Sequence, residues 1–183
     1  MLALSSSPIA PSMSANITPV EIEKLSLDSK LKELSLYDIS IDMSSLGSEL
    51  ARIFNENSLV PGVILKENGA FVGMISRKQF LERMSKPYGL ELFTKRPLYS
   101  LQKFVTEEIL VLNGETLIVS AAKKSLQRPP ETLYEPIVVE LKSECYFLLD
   151  VHDLLIAQSY IHELATKMLQ EQTQARLFQT EKM

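Results

Sequence analysis

Two pairs of residues, each pair three positions apart, are the strongest candidates for binding chemistry in this chain. Ser76 and Gln79 open one predicted helix, and Asp150 and Asp153 open another. The start of a helix carries unpaired N–H groups and a partial positive charge, and it can therefore bind a phosphate. Ser76 is compatible with an anion at this position, whereas the carboxylate of Asp150 opposes one. Both spacings are also ordinary helix-start patterns, in which side chains satisfy backbone N–H groups, and both interpretations stay open.

Catalysis and metal binding have no comparable pattern behind them. His152 and His162 are ten residues apart, so they do not share a helical face at the spacing of metal ligands. No serine or cysteine is paired with a histidine in a way that nominates a nucleophile. We therefore predict no enzyme activity and no metal site, with both histidines at the surface or at an interface.

The charge of the chain argues against nucleic acid as its main partner. The formal net charge is −4, from 19 basic and 23 acidic residues. Basic and aromatic residues do alternate between residues 86 and 97, where Arg96 is the best candidate for contact with a phosphate. The alternative that we favour is a linker whose apolar residues cover the core: Tyr88, Leu90, Leu92 and Phe93.

The N-terminal sequence and the single cysteine predict a cytoplasmic protein. No apolar run approaches the roughly 20 residues needed to span a bilayer, and the first residues lack the pattern of a secretory signal. We therefore expect no membrane segment. Cys145 excludes a disulfide within the chain, which is consistent with a reducing compartment, and its position in an apolar run predicts a buried core residue.

The elements that must position these residues occur twice. Residues 62–84 align without a gap on residues 136–158, and nine aligned positions are apolar in both copies. Each copy contains two apolar, β-branched runs followed by a helix start. In the first copy Asn68-Gly69 separates the two runs, which is a strong hairpin signal. Self-similarity on this scale predicts two copies of one small unit.

Each copy is preceded by a predicted short strand and a helix. The strands lie near 37–41 and near 109–112. The helices are predicted to be capped by serine or threonine: Ser44 or Ser45 in the first copy and Thr116 in the second. The fold class is therefore α/β, with two β-α-β-β-α repeats packed with pseudo-twofold symmetry and followed by a long C-terminal helix.

The remaining residues extend this core at both ends. Residues 1–17, rich in Ser, Pro and Ala, are predicted to be a disordered tail, and residues 18–36 a leading helix. The repeats are assigned to 37–98 and 99–160. Over 161–183 apolar residues continue at spacings of three, four or seven, which predicts a coiled-coil signalling helix. Because this pattern has no stop signal, we expect a further domain after it.

Two units of this kind resemble a tandem pair of CBS (cystathionine β-synthase) domains, the Bateman module, over roughly residues 37–160. Pro61 and Pro136 lead into the second strand of each copy, and residues 73–79 are similar to the family's G-x-(I/V)-(S/T)-x-x-(D/N) motif. The chain also resembles the N-terminal input regions of bacterial, cyanobacterial, sensor histidine kinases and diguanylate cyclases. In those proteins a catalytic output domain follows the last helix.

The resemblance implies an adenine nucleotide, ATP, ADP or AMP, as the candidate ligand in the cleft between the units. In the family's pattern the hydroxyl residue that opens the second helix faces phosphate, and the acidic residue three positions later binds ribose. By position these are Ser76 and Gln79 in the first unit and Asp150 and Asp153 in the second. The first site keeps only the hydroxyl and the second only the distal acid. The predicted ligand-binding set also includes Arg96, Val63 and Ile137.

The resemblance therefore implies a non-enzymatic sensory input module that forms a homodimer. It would relay a nucleotide signal to a C-terminal output domain, a histidine kinase or a diguanylate cyclase. Gln79 and Asp150 depart from the family's pattern. They favour the alternative hypothesis, a ligand-free dimerisation scaffold whose pockets are filled by side chains.

Overall fold

The computed structural model describes residues 22–100 and 108–182. The predicted tail over 1–17 and the predicted helix start at 18–21 lie outside the described residues. The helices and strands are β1 Ser40–Asp42, α1 Gly47–Glu56, β2 Gly62–Glu67, β3 Ala70–Ser76, α2 Arg77–Met84, α3 Gly89–Thr94, β4 Val111–Asn113, α4 Ile118–Leu126, β5 Ile137–Lys142, β6 Cys145–Leu149 and α5 Val151–Thr180.

Two three-stranded sheets of identical topology form the framework. In each sheet the first strand pairs in parallel with the second, and the second pairs antiparallel with the third. The registers are equivalent, because Ile41 lies opposite Leu65 in one sheet and Leu112 lies opposite Val139 in the other. The predicted α/β class and the β-α-β-β-α order of both units are confirmed.

The turn between β2 and β3 confirms the hairpin prediction. Asn68 and Gly69 both have positive φ, 50° and 82°, as a two-residue turn of the favoured hand requires. In the second unit Glu144 takes the positive-φ position, at 64°, where asparagine or glycine is more usual. The hairpin prediction worked because this signal is local to the turn.

The two sheets meet along a seam of four buried apolar residues, Ile64, Met74, Val138 and Leu148. Ile64 and Val138 are equivalent in the aligned repeats, and so are Met74 and Leu148. The seam therefore consists of two copies of one pair, as the predicted pseudo-twofold arrangement requires.

Each unit also has its own core, to which residues from outside its β-α-β-β-α elements contribute. The core of the first unit contains Phe93 and Leu98, which follow its last helix α2. The core of the second unit contains Leu25, Leu31 and Leu34, which lie far away in sequence. Burial of such side chains is the main favourable term in folding, so both cores depend on these additions.

The leading helix predicted over 18–36 is wrong for the described residues. In its place are two 3-10 turns, Ile22–Lys24 and Leu31–Glu33. Between them the N–H of Ser26 donates to Oγ of Ser29 at 2.9 Å, and Oγ of Ser29 donates to Oε1 of Glu33 at 3.3 Å. Serine side chains that bond locally in this way compete with the helical pattern of hydrogen bonds.

The serine and threonine caps predicted for the first helix of each unit are also wrong. α1 follows Leu46 and α4 follows Leu117, and neither residue makes a side-chain capping bond. The residues predicted as caps precede these positions in the chain: Ser44, Ser45 and Thr116.

Main-chain carbonyls from distant segments take the place of the missing caps. The N–H of Gly47 donates to the carbonyl of Arg96 at 3.0 Å, and the N–H of Ile118 donates to the carbonyl of Ser29 at 3.0 Å. The first N–H of each helix is therefore satisfied by tertiary structure, so a side-chain cap is not required.

Two predictions about burial were also wrong. Among the four linker residues expected to cover the core, Phe93 is buried, whereas the other three are exposed: Tyr88, Leu90 and Leu92. Cys145 is exposed rather than buried. It pairs with Lys142 at the turn end of its hairpin, after a register shift in β5, and an apolar run in sequence does not reveal such a shift.

The C-terminal helix prediction is confirmed for α5, which runs unbroken over Val151–Thr180. Its first three turns are held in the core of the second unit by Val151, Leu154, Ala157 and Ile161. Beyond Ala165 the described side chains of α5 are exposed. Within the described part of the chain, no helix is long and apolar enough to cross a membrane.

Candidate functional site

The start of α2 contains the first candidate pair. Ser76 is the N-cap of the helix, is only 1% exposed, and accepts a hydrogen bond from the N–H of Gln79 at 3.1 Å. Capping uses an acceptor position of the hydroxyl and not its proton. The hydroxyl is thus placed at the positive end of a helix, which is compatible with both interpretations of this residue.

The side chain of Arg77, the residue after Ser76, makes its hydrogen bonds within the first unit. Its Nε donates to the carbonyl of Val60 at 2.9 Å, its Nη1 to that of Phe54 at 3.0 Å, and its Nη2 to that of Asn57. The guanidinium also lies 4.8 Å from the centre of the Phe54 ring. Burial lowers the pKa of Arg77, but an arginine stays charged. The guanidinium therefore holds the end of α1 and the loop before β2 in place. No sequence signal indicated this role.

The side chain of Lys78, the next residue, contacts the second unit. Its Nζ lies 3.3 Å from the carbonyl oxygen of Glu131, which belongs to the loop before β5. A cation therefore stands in the first turn of α2, between the two units, where it adds to the positive potential of the helix start. No local sequence pattern distinguishes Lys78 from other surface lysines.

The start of α5 contains the second candidate pair. Asp150 is the N-cap and accepts a hydrogen bond from the N–H of His152 at 2.9 Å. Burial raises the pKa of Asp153, and the neighbouring Asp150 carboxylate raises it further. Two carboxylates therefore lie close together in partial shelter from water, which is unfavourable for a phosphate.

Tyr37 joins this second group from the segment before β1. Its N–H donates to the carbonyl of Leu148 at 2.8 Å, which brings the tyrosine beside the end of β6. Burial raises the pKa of the Tyr37 phenol, and the carboxylates of Asp153 and Asp150 raise it further. The three side chains therefore share one electrostatic environment. Sequence reasoning missed Tyr37, since nothing local connects it with a helix that begins more than a hundred residues later.

The two helix starts occupy equivalent places but differ in charge. Ile75 lies opposite Val63 and Leu149 lies opposite Ile137, so the residues that follow, Ser76 and Asp150, correspond. One start presents a neutral hydroxyl with a nearby lysine, and the other presents two carboxylates and a phenol. The two candidate pairs therefore differ in charge, since only the second contains carboxylates.

The remaining members of the predicted ligand-binding set lie elsewhere. Val63 and Ile137 are 0% exposed in the cores of their own units, so neither residue offers accessible surface to a ligand. Arg96 is exposed, and its carbonyl is bonded to the start of α1 rather than of α2.

Metal binding has no support among residues 22–100 and 108–182, where no group of three or more His, Cys, Asp or Glu could hold an ion. His152 and His162 are both exposed. Nδ1 of His152 lies 3.6 Å from Oδ1 of Asp153. The prediction of surface histidines is confirmed.

Comparisons with known proteins identify the fold. No protein-family model matches the sequence, and no curated protein matches it. The CBS domain of a CBS-domain membrane protein from Sphaerobacter thermophilus matches the structure with 16% identity and a TM-score of 0.56, over 72% of this chain and 88% of that chain. A CBS-domain protein of Agrobacterium tumefaciens matches with 9% identity and a TM-score of 0.55, over 72% and 95% of the two chains.

CBSX2, solved in complex with AMP, matches with 16% identity and a TM-score of 0.52, over 73% of this chain and 98% of that chain. At these identities the likeness shows the fold alone. The chain has the fold of a tandem CBS-domain pair.

Proposed function

We propose that the protein is a regulatory module in which an adenine nucleotide, bound at the start of α2, changes the packing of the two CBS-like units, and that α5 carries this change to an output domain. The observation that carries the proposal is the path of α5. The helix begins at the candidate residue Asp150, crosses the second core as far as Ile161, and continues as one helix to Thr180. A change in the packing of the second unit is therefore transmitted along α5, because its first turns belong to that unit's core.

The charges favour a nucleotide at the first unit. The buried hydroxyl of Ser76, the N–H groups of α2 and the nearby Lys78 all suit a phosphate. At the equivalent place in the second unit, Asp150 and Asp153 repel one. We therefore propose one nucleotide per chain. The solved complex of CBSX2 with AMP supports the choice of ligand class, at the level of a shared fold.

The size of the response depends on how differently the ligand binds the two packing states. A ligand shifts the equilibrium only by its differential affinity, and a tenfold preference corresponds to about 1.4 kcal/mol. Because α5 packs against the core through four buried residues, it moves with the second unit rather than independently of it.

We further propose that the module dimerises through the exposed part of α5. This part carries large apolar side chains that α5 does not bury within its own chain: Met168, Leu169, Leu177 and Phe178. Of these, Met168 and Phe178 continue the line of the buried Ile161 along the helix, as the seam of a coiled coil requires. A histidine kinase or a diguanylate cyclase is the output domain that the sequence resemblance implies.

Nucleotide binding is tested by thermal shift and calorimetry with ATP, ADP, AMP and S-adenosylmethionine. At least one of them should raise the melting temperature and bind with a stoichiometry of one per chain. Ser76→Asp should abolish this binding, because it introduces the carboxylate of the second unit. Ser48→Asp is the matched control, since it adds the same charge at the start of α1. If none of the four ligands binds, the sensing part of the proposal is wrong.

The second candidate function is a ligand-free dimerisation scaffold. The observation that favours it is that the hydroxyl of Ser76 and the carboxylate of Asp150 both cap their own helices. On this hypothesis no nucleotide binds, and light scattering still reports a dimer that depends on α5. The two measurements together distinguish the candidates.

A further inference from the structure

Two short segments outside the β-α-β-β-α elements dock in the same way, each on one unit. The N–H of Leu31 donates to the carbonyl of Thr116 at 2.9 Å, and the N–H of Leu98 donates to the carbonyl of Ser45 at 2.9 Å. Thr116 and Ser45 are equivalent, because each directly precedes the leucine at the N-cap position of the first helix of its unit. We name residues 25–34 the N-terminal segment and residues 93–100 the central segment.

A second pair of bonds repeats the correspondence. The N–H of Lys32 donates to the carbonyl of Gly114 at 3.0 Å, and the N–H of Tyr99 donates to the carbonyl of Met43 at 2.8 Å. The leucine that donates the first bond of each pair is buried in both cases: Leu31 is 0% exposed and Leu98 is 4% exposed. The likeness therefore includes the main-chain bonds and the apolar anchor.

Only the N-terminal segment packs on a unit that it does not adjoin in the chain. The N-terminal segment precedes the first unit in the chain but packs in the core of the second. The central segment follows α2 and packs in the core of the first unit, next to it in the chain. The second unit is thus completed by the chain that precedes the first unit, whereas the first unit is completed by the chain that follows it.

The two docking contacts differ in their charges. Nζ of Lys30 and Nζ of Lys32 lie 2.6 Å from the two carboxylate oxygens of Glu115, and all three side chains are exposed. At the corresponding places the central segment has Pro97 and Tyr99, which carry no charge. Exposed ion pairs are individually weak and are screened by salt. The N-terminal segment therefore depends on solution conditions in a way that the central segment does not.

We propose that the N-terminal segment is a detachable part of the second unit, and that its release loosens α4 and the buried turns of α5 while the first unit stays folded. The coupling to α5 is direct. The apolar anchors Leu25, Leu31 and Leu34 share one core with Leu154, Ala157 and Ile161 of α5. The N-terminal segment therefore helps to hold α5 in the core of the second unit, and ion pairs help to hold the segment. No nucleotide takes part in these contacts.

The test is hydrogen exchange of the nucleotide-free full chain, with Leu31→Ala and Leu98→Ala as matched variants. Leu31→Ala should raise exchange by about tenfold or more in α4 and in residues 151–161, and less in α1 and β2. Leu98→Ala should show the reverse. An equal rise across both units in either variant would overturn the proposal, because the units would then open together.

A milder variant decides the matter if Leu31→Ala does not fold. Lys30→Gln combined with Lys32→Gln keeps every apolar anchor and removes the ion pairs. Exchange in α4 and residues 151–161 should rise several-fold at low salt, and the difference from the natural chain should vanish at about 1 M salt. No rise there, or an equal rise in α1, overturns the proposal. Because no nucleotide is used, the result does not depend on whether the protein binds one.

Discussion

Tyr37 and Leu148 belong to different units, yet their main chains exchange two hydrogen bonds. The N–H of Tyr37 donates to the carbonyl of Leu148 at 2.8 Å, and the N–H of Leu148 donates to that of Tyr37 at 3.0 Å. Leu148 is a member of the seam between the sheets, and Asp150 follows two residues later. The contact that joins the units therefore also brings the phenol of Tyr37 to the start of α5.

Replacing Asp150 by serine should convert the second helix start into a copy of the first. Serine caps helices as well as aspartate, so α5 should form normally. Removal of this carboxylate leaves a hydroxyl where the first unit has Ser76, and a phosphate is then tolerated. We expect the calorimetric stoichiometry for AMP to rise from one to two per chain. Asp38→Ser, at an exposed site, should leave it at one, and an unchanged value for Asp150→Ser would contradict the charge argument.

Glu115 should make stability depend on pH in the acidic range. Hydrogen bonds from Lys30 and Lys32 lower the pKa of Glu115 from 4.5 to about 2. Because the folded pKa lies below the unfolded one, the stabilisation is present above pH 4.5 and is lost as the pH falls towards 2. Glu115→Gln should therefore lower the melting temperature slightly at neutral pH, and the difference should narrow with acid and with salt.

Melting curves of both proteins between about pH 2 and pH 7 measure this difference. Glu91→Gln, an exposed substitution on α3, is the control. A gap between Glu115→Gln and the natural chain that widens on acidification would have the wrong sign and would rule out the ion pairs as its source.

Gly47→Ala should destabilise the first unit although alanine is the better helix former. An added Cβ would lie 1.9 Å from the carbonyl oxygen of Phe93, which belongs to the central segment. Helix propensity alone favours alanine by about 1 kcal/mol, but a clash with main chain cannot be relieved by a rotamer change. We expect a net loss of about 1–3 kcal/mol in urea unfolding. Ser48→Ala, the next position, should be close to neutral, and a gain for Gly47→Ala would contradict the close approach.

Arg77→Ala should cost about 2–4 kcal/mol in the free energy of unfolding, because it removes hydrogen bonds to three carbonyls and the contact with the Phe54 ring. Arg77→Lys keeps the charge but not the planar fork of donors, so it should recover less than half of the loss. Urea unfolding measures both variants. Lys78→Ala, an exposed neighbour, should change stability by no more than about 0.5 kcal/mol. Equal stability of Arg77→Lys and the natural chain would show that the fork geometry is unimportant.

Met168→Glu combined with Phe178→Glu should convert the proposed dimer to a monomer. Both side chains are exposed on the same side of α5, and carboxylates at a coiled-coil seam repel each other. Light scattering after size exclusion gives the mass directly. Gln170→Glu, on the opposite side of the helix, is the control and should remain dimeric. A dimer that survives the double substitution would place the interface elsewhere.

The parts of the fold that local patterns encode were predicted well. The Asn68-Gly69 turn, the paired strands and the unbroken α5 follow from backbone sterics and from apolar periodicity, which act over a few residues. The caps failed for the opposite reason. The bonds from Gly47 to Arg96 and from Ile118 to Ser29 join residues that no sequence window contains together.

The candidate site was predicted in the same uneven way. Ser76 and Asp150 do stand at helix starts, because capping is a local property of the chain. Tyr37 and Lys78 were missed, since each meets its neighbours only across the gap between the units. Cys145 was misjudged because a register shift alters which side chains face the core.

By itself the amino-acid sequence determined that one α/β unit occurs twice, that each copy ends in a capped helix, and that the two copies differ in charge at that helix start. Only the tertiary structure decided that the N-terminal segment completes the second unit and that Tyr37 joins Asp150 and Asp153. The physical reason is the distance along the chain over which each interaction acts. Periodicity, turns and caps depend on neighbours in sequence, whereas the place of the N-terminal segment is decided by the burial of Leu31 in a core formed by residues far away in the chain.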